Sequence, residues 1–399
     1  MRENRTIARA FSLVLISSFC LLLFLPKLSF ALAQNVAISS KGSIVYDQTS
    51  VLVLRSINID SLEAEGGDYN NPQFIADHTD LYDTWDYQGD LVSKIHAIRP
   101  DLKVIIYRNV RAVYTKTGET AKWLLKDGNG NYIYNLAYPD EYFLVDIGNP
   151  EYQDYVANWV KTQIDQYGFD GVFADWGIDA GSGLTYSLSG HAINPRTGVL
   201  YTTEEWVNGT IATAKKIKAT IGSKLYVGNG INDGNKWLYA KETYLRFFDL
   251  PIDGLMAEGC FTPSQSESSW KNSLDFMVWL QDNFLSSRAN GVFLPACGEA
   301  TNDEQTKFLF SSCLLGIKDF SKNYPWMNGV TCSNYTQSLF RIDIGIPKGD
   351  YYVVDGTHVY ARDFTRGKVL VNPTSDTYIV EVSGQSITML PQTGTLLTL

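Results

Sequence analysis

The chain has 399 residues, 45% of them hydrophobic, and carries 33 Lys and Arg against 43 Asp and Glu, a net charge of −10. This acidic balance argues against nucleic acid or an anionic membrane as the partner, because both require a basic face. The chain has only four histidines and five cysteines, and their spacing is not that of metal ligands. A metal-dependent hydrolase and a histidine-based catalytic triad are therefore disfavoured, and no metal and no other cofactor is expected.

The first segment has the order of a cleavable signal peptide over residues 1–33. Three arginines precede an apolar run, and the small residues Ala31 and Ala33 mark a cleavage site before Gln34. An uncleaved anchor is the alternative, but Pro26 breaks the run short of the roughly 20 apolar residues that a membrane span needs. We expect cleavage and secretion, which leaves a mature chain with 29 basic and 42 acidic residues.

From Val51 onwards, short β-branched runs alternate with longer helical stretches, which is typical of βα units around a parallel sheet. Eight such runs close a barrel, and a (β/α)8 TIM barrel is expected over residues 34–333. The predicted strands are Val51–Arg55, Leu81–Trp85, Val104–Asn109, Val172–Asp175, Leu225–Asn229, Leu255–Glu258, Val292–Ala296 and Ile317–Phe320. The predicted helices are 88–98, 150–167, 204–221, 236–248, 269–289 and 303–315.

A polar insertion, Asp127 to Asn131, interrupts the barrel half and predicts a hairpin. It begins like a calcium loop, but Tyr132 and Tyr138 occupy the positions where such a loop needs Gly and Glu. We therefore expect no calcium there.

The last part of the chain, residues 334–399, contains predicted strands only, separated by Gly, Pro, Ser and Asp turns. The predicted fold class is therefore α/β, a (β/α)8 barrel followed by a small C-terminal antiparallel β-domain of sandwich type. No Pro/Ser linker precedes this domain, so we expect it to pack on the barrel.

Two predicted strands end in an acid after similar residues, DGVFAD closing at Asp175 and DGLMAE closing at Glu258. Such an acid lies at the carboxyl end of the barrel, where active sites of this fold form. The two residues end strands four and six, so both carboxylates face one cavity, with carboxyl groups either near ~5 Å or near ~8 Å apart. Glycoside hydrolysis uses such a pair; the alternative is that each acid caps a turn or forms an ion pair.

Other side chains predicted at this end are candidates for contacts to a sugar, as hydroxyl or charge partners or as stacking rings. They are Tyr107, Arg108, Asn109, Asp146, Asn229, Asn232, Glu299, Asp319, Trp85 and Trp176. We expect about half of them to be structural, and Asp146 is equally well interpreted as a helix-entry residue.

The segment Gly168–Asp175, preceded by a helix and by Asp146–Pro150, resembles the TIM-barrel glycoside hydrolases of hypothetical glycosyl hydrolase family 15 and their relatives, the endo-α-1,4-polygalactosaminidases. Lys103–Asn109 and Arg362–Pro373 add to the resemblance, which covers nearly the whole mature chain. It implies catalytic acids after strands four and six, which carry over onto the two acids above, and it implies an α-linked substrate.

The leading interpretation is a secreted glycoside hydrolase that cleaves O-glycosidic bonds of an extracellular polysaccharide. Asp175 would be the nucleophile or base, and Glu258 the general acid with a raised pKa. A non-catalytic carbohydrate-binding barrel and a transglycosylase are the alternatives. We expect a monomer that binds polysaccharide or oligosaccharide, without nucleic acid and without a membrane segment after cleavage; the pairing of Cys260, Cys297, Cys313 and Cys332 stays open.

Overall fold

The structure, a computed structural model, describes residues 56–58, 70–138, 141–297, 300–327, 339 and 342–398. Within these residues, eight parallel strands pair in chain order, and the first also pairs with the last, so the sheet closes on itself. They are β1 (Ser56–Asn58), β2 (Leu81–Thr84), β3 (Lys103–Asn109), β4 (Gly171–Asp175), β5 (Leu225–Ile231), β6 (Gly254–Phe261), β7 (Val292–Cys297) and β8 (Trp326–Met327).

Every connection from β1 to β8 contains a helix. The helices are α1 (Pro72–His78), α2 (Gly89–Ile98), α3 (Pro150–Tyr167), α4 (Thr203–Ile221), α5 (Gly234–Tyr239), α6 (Lys241–Phe248), α7 (Glu267–Asn283) and α8 (Asp303–Gly316). The predicted mixed α/β fold with a curled parallel sheet is therefore confirmed. The segment 328–338, which follows β8 and would supply an eighth βα connection, lies outside the described residues.

Local capping explains why the helix bounds follow the sequence. In α3, the Asn149 side chain accepts a hydrogen bond from Glu151 N, Pro150 occupies the first turn, and Gly168 ends the helix in the left-handed conformation. In α4, Thr202 and the Glu205 side chain form a reciprocal capping box. The predicted bounds of α3 are confirmed, whereas the predicted helix 236–248 is two helices that meet at Ala240.

Two apolar layers hold the barrel together. One lies inside it and includes Ile105, Phe173, Val227, Met256 and Leu294, while the larger layer lies between strands and helices. Strands covered on both faces need near-continuous apolar runs, as these strands have. The polar side chains at the carboxyl ends of the strands therefore stand above an apolar interior.

The predicted eighth strand, Ile317–Phe320, is wrong. Ile317 is the C-cap of α8, since its N–H bonds to Cys313 O, and the barrel strand is Trp326–Met327. Ile317 and Phe320 are apolar because they pack in the outer layer. The predicted first strand, Val51–Arg55, lies outside the described residues, directly before β1.

The predicted hairpin at the polar insertion is confirmed. Asp127 N donates to Asn131 O at 2.9 Å, and Lys126 pairs with Tyr132 as antiparallel strands do. The Asp127 carboxylate accepts hydrogen bonds from Asn129 N and Asn131 N, so it closes the turn.

The C-terminal part consists of two antiparallel sheets, as predicted. The strands are β9 (Pro347–Val353), β10 (Tyr360–Phe364), β11 (Gly367–Asn372), β12 (Tyr378–Val382), β13 (Gln385–Met389) and β14 (Thr393–Thr398). Four of them pair in the order β9-β10-β11-β14, and β12 pairs with β13. Ala361 and Leu370 of the larger sheet pack with Val380 and Met389 of the hairpin, which gives a small core of its own.

Arg362 joins these sheets to the barrel. Its side chain is 3% exposed and donates hydrogen bonds to the carbonyl oxygens of Leu315 and Ile317 at the end of α8, and to Gly349 O. Burial lowers the pKa of Arg362 to about 10. One guanidinium thus supplies a donor to the two buried carbonyl groups at the end of α8 and to a third in β9.

In the described part of the chain, no helix is long and apolar enough to cross a membrane.

Arg362→Met should lower the free energy of unfolding by about 2–4 kcal/mol, because it leaves buried carbonyl groups without a donor. Urea denaturation at neutral pH measures this, and Lys348→Met, which removes an exposed cation from the adjacent strand β9, is the control. Equal midpoints for the two variants would contradict the role given to Arg362.

Candidate active site

Polar side chains from four neighbouring strands meet at the carboxyl end of the barrel. Asp175 ends β4 and is half-buried, and Glu258 in β6 is exposed. Strands β3 and β5 flank β4, and they bring Tyr107 and Asn109 from one side and Asn229 from the other. The structure therefore brings together five of the side chains that the sequence placed at this end.

Asn229 bridges the two carboxylates. Its Nδ2 donates to Asp175 Oδ1 at 3.0 Å and to Glu258 Oε2 at 2.9 Å. Its Oδ1 accepts from Gly230 N at 2.7 Å, which fixes the direction in which the amide points. Because both bonded oxygens lie within 3.0 Å of one nitrogen, these nearest oxygens are no more than about 6 Å apart, which agrees with the shorter of the two expected separations.

The other oxygen of Asp175 accepts two further hydrogen bonds. Tyr107 OH donates to Oδ2 at 2.7 Å, and Asn109 Nδ2 donates to it at 3.0 Å. Asn109 Oδ1 already accepts hydrogen bonds from Arg111 N and Ala112 N, so the Nδ2 amino group must face the carboxylate. All three neighbours of Asp175 are donors, which suits an ionised carboxylate.

The pKa of Asp175 is raised to about 6, first by burial and then by the negative charge of Glu258. The hydrogen bond from Tyr107, the positive charge of Arg111 and the hydrogen bond from Asn229 act in the opposite direction. The sequence predicts a raised pKa for the proton donor, Glu258, whereas the raised pKa found here belongs to Asp175. This carboxyl group therefore changes its charge just below neutral pH.

Aromatic rings form one wall next to Asp175. The Trp85 ring lies 4.3 Å from that of Tyr107 and 5.9 Å from that of Tyr114, which in turn lies 4.8 Å from Tyr142. Trp85 and Tyr107 were predicted, but Tyr114 and Tyr142 come from loops whose positions no sequence pattern indicates. Tyr142 has a positive φ of 54°, which is rare for a bulky residue.

Trp176 forms a second wall. It follows Asp175 with a φ of 59°, and the Arg111 guanidinium lies 3.5 Å from its ring centroid. The Lys236 ammonium lies 5.9 Å from the same ring. Burial lowers the pKa of both cations. The sequence analysis did not identify Arg111, although it follows Asn109 by two residues, as Asn109 follows Tyr107. It did not identify Lys236 either, because no sequence pattern places this residue of α5 at the site.

Arg108 and Asp146 do not face the carboxylates, and for Asp146 the predicted contact to a sugar is wrong. Strand alternation turns Arg108 outwards, where its guanidinium lies 4.6 Å from the ring centroid of Trp159. Asp146 is 1% exposed and accepts hydrogen bonds from Arg196 Nη1 at 2.5 Å and from the Tyr201 hydroxyl. It is a buried ion-pair partner, in line with its structural interpretation.

The prediction for Asp319 is also wrong, because it rested on the misplaced eighth strand. Asp319 precedes β8 and accepts hydrogen bonds from Ser321, at the opposite end of the barrel from Asp175. Asn232 is exposed, and its carbonyl accepts from Gly259 N next to Glu258, so it lies beside the site. Glu299 lies outside the described residues.

Within the described ranges, no three or more His, Cys, Asp or Glu side chains are placed to hold a metal ion. Cys260 and Cys313 are buried. Neither Asp175 nor Glu258 forms a salt bridge with a described residue. The two carboxylates are thus available to a ligand.

Residues 96–368 match the model of the family described as hypothetical glycosyl hydrolase family 15. No curated protein matches the chain. Among solved structures, the chain is similar to Amy13B of Eubacterium rectale, with 10% identity over 88% of this chain and 96% of that one and a TM-score of 0.49. An Anoxybacillus α-amylase shares 14% identity over 87% and 98% of the two chains, with a TM-score of 0.46. A GH31 dextranase of Flavobacterium johnsoniae shares 10% over 88% and 52%, with a TM-score of 0.48.

Asn229→Ala should raise the pKa of Asp175 by roughly one further unit, because it removes a hydrogen bond to the ionised form. The pH dependence of the Asp175 carboxyl carbon signal in NMR measures this, with Asp175→Asn to assign the signal. Asn283→Ala, at an exposed position on α7, is the control. An unchanged or lowered pKa in Asn229→Ala would show that the amide does not stabilise the carboxylate.

Proposed function

This glycoside hydrolase belongs to hypothetical glycosyl hydrolase family 15, and from that premise we propose that it cleaves O-glycosidic bonds of an extracellular polysaccharide with Asp175 and Glu258 as its catalytic pair. The observation that carries the proposal is the Asn229 amide, which holds the two carboxylates within about 6 Å of each other at the carboxyl end of the barrel.

We infer retention of configuration, because one amide nitrogen bonds to both carboxylates and so keeps their nearest oxygens within about 6 Å. Retaining enzymes hold their carboxyl groups about 5–5.5 Å apart, whereas inverting enzymes need about 6.5–9.5 Å to admit a water molecule. Asp175 suits the nucleophile, because three donors hold its ionised form. Glu258 suits the acid and base, because it is exposed and reaches solvent.

The reaction proceeds in two steps. In the first, Asp175 attacks the anomeric carbon, the glycosidic C–O bond breaks, and the Glu258 proton passes to the leaving oxygen. In the second, Glu258 takes a proton from water, the water oxygen bonds to the anomeric carbon, and the ester bond to Asp175 breaks. Tyr107, Asn109 and Asn229 position Asp175 for both steps, and Trp85 and Trp176 supply stacking surfaces for sugar rings.

Three further features belong to the proposal. The barrel is a complete (β/α)8 barrel over residues 34–333 that carries the site, with residues 334–399 as the C-terminal domain. The arginines and the apolar run of residues 1–33 support secretion. The family resemblance supports an α-linked substrate.

Hydrolysis is favoured over the two alternatives. A carbohydrate-binding barrel would tolerate acids neutralised by ion pairs, but among the described residues no cation forms a salt bridge with Asp175 or Glu258. A transglycosylase must exclude water from its acid and base, but Glu258 is exposed.

Asp175→Asn should abolish the release of reducing ends from a polysaccharide panel, and Glu258→Gln should reduce it by roughly 10²–10⁴-fold. Glu258→Gln should still cleave dinitrophenyl glycosides, whose leaving group needs no proton, and azide should accelerate its turnover. Asp175→Asn should not cleave these glycosides, and azide should not accelerate its turnover. Glu381→Gln, on the exposed side of β12, is the control. Full activity in both active-site variants would show that the catalytic acids are elsewhere.

The acid limb of kcat/KM should lie near pH 6, since the nucleophile must be ionised and the pKa of Asp175 is about 6. Activity is therefore lost as the pH falls through this value. In Glu258→Gln, assayed on a dinitrophenyl glycoside, the limb should move to lower pH because a neighbouring negative charge is gone. A limb that stays in place would contradict the charge coupling, and Glu381→Gln should leave it unmoved.

A further inference from the structure

Helix α3 carries two aromatic side chains away from its buried face. Tyr155 and Trp159 lie one turn apart and are half-buried, whereas Val156 and Val160 on the neighbouring face are fully buried. A helix that packs on a barrel normally presents polar residues at such positions. The two rings therefore form an apolar stripe that reaches the surface.

This stripe lines a cavity of about 560 Å³, here called the outer groove and defined by Trp123, Tyr155 and Trp159. The Trp123 and Tyr155 ring centroids are 5.1 Å apart. Polar side chains, including Lys122 and Asn158, complete its lining. Rings beside hydrogen-bonding groups are the combination that a sugar needs, since its faces are apolar and its edges carry hydroxyl groups.

The outer groove adjoins a second cavity, whose lining includes two residues that donate hydrogen bonds to Asp175. This cavity of about 340 Å³, the inner pocket, is lined by Trp85, Tyr107, Asn109 and Tyr114, and it shares Trp159 with the outer groove. Tyr107 and Asn109 also donate hydrogen bonds to Asp175. A chain of contacts thus runs from the carboxylate to the surface of α3.

Arg108 stands at the junction of the two cavities. It lines the inner pocket, its guanidinium lies over the Trp159 ring, and its Nε is buried without a hydrogen-bond partner in the described part of the chain. A buried donor without a partner is costly unless a ligand supplies an acceptor. Sugar hydroxyl and ring oxygens are acceptors of that kind.

We infer that the outer groove binds the distal units of a polysaccharide chain whose cleaved bond lies at Asp175. The inference rests on the proposed function and deepens it, because it makes a long chain, rather than a disaccharide, the preferred substrate. Trp159 and Tyr155 contribute by binding units remote from the reacting bond, which raises kcat/KM for long chains only.

Trp159→Ala and Tyr155→Ala test this against Tyr239→Ala, whose ring is 93% exposed and lines neither cavity. The probes are soluble starch, dextran, chitosan and polygalacturonate, and an aryl glycoside that fills only the catalytic centre. On whichever polymer the wild type cleaves, kcat/KM should fall roughly two- to tenfold in each groove variant. Turnover of the aryl glycoside should stay unchanged in Tyr155→Ala, whose ring lines only the outer groove, and in Tyr239→Ala.

An unchanged kcat/KM on the polymer, or an equal loss on polymer and aryl glycoside, would overturn the inference. If the wild type cleaves no probe, the proposed function fails, and electrophoresis in gels that contain the same polymers then tests the groove alone. If a polymer slows the migration of the wild type and of Tyr239→Ala but not that of Trp159→Ala, binding of the polymer in the outer groove is supported. Equal mobility of wild type and Trp159→Ala in every gel would overturn it.

Discussion

The site depends on two carboxylates sharing one amide. Burial raises the pKa of Asp175, and repulsion by the negative charge of Glu258 raises it further. Asn229 offsets this repulsion with two N–H donors whose direction is fixed by Gly230. This arrangement requires β5 to lie between β4 and β6, with Asn229 level with both acids. The order of the strands in the barrel therefore decides whether the two carboxylates can share one amide.

The parts of the fold that sequence reasoning predicted are those with local physical signals. Helix α3 was predicted to the residue because Pro150 and Gly168 mark its ends chemically. Asp175 and Glu258 were found because an acid directly after an apolar strand has one position in a barrel. The sequence analysis missed strand β8 because its two residues are too few to form a pattern. It assigned the strand to Ile317–Phe320 instead, because Ile317 and Phe320 are apolar residues that pack in the outer layer.

The errors within the site have a different origin. That Arg108 faces away from the carboxylates could have been predicted by alternation alone, since Tyr107 and Asn109 face inwards. Asp146 could not, because its partner Arg196 is far away in the chain and no local pattern connects them. Tyr114 and Tyr142 reach the carboxylate from loops, and loop paths follow from tertiary packing rather than from residue periodicity.

Tyr142 and Trp176, the two rings held at positive φ, set a limit on how stable this enzyme can become. Each such residue costs about 1–3 kcal/mol that the surrounding structure must supply. Glycine or asparagine would relieve the backbone at either position, and a search for heat-resistant variants would select such changes first. The same changes would remove the rings beside Asp175, so a gain in stability at these two positions would remove surfaces that flank the carboxylates.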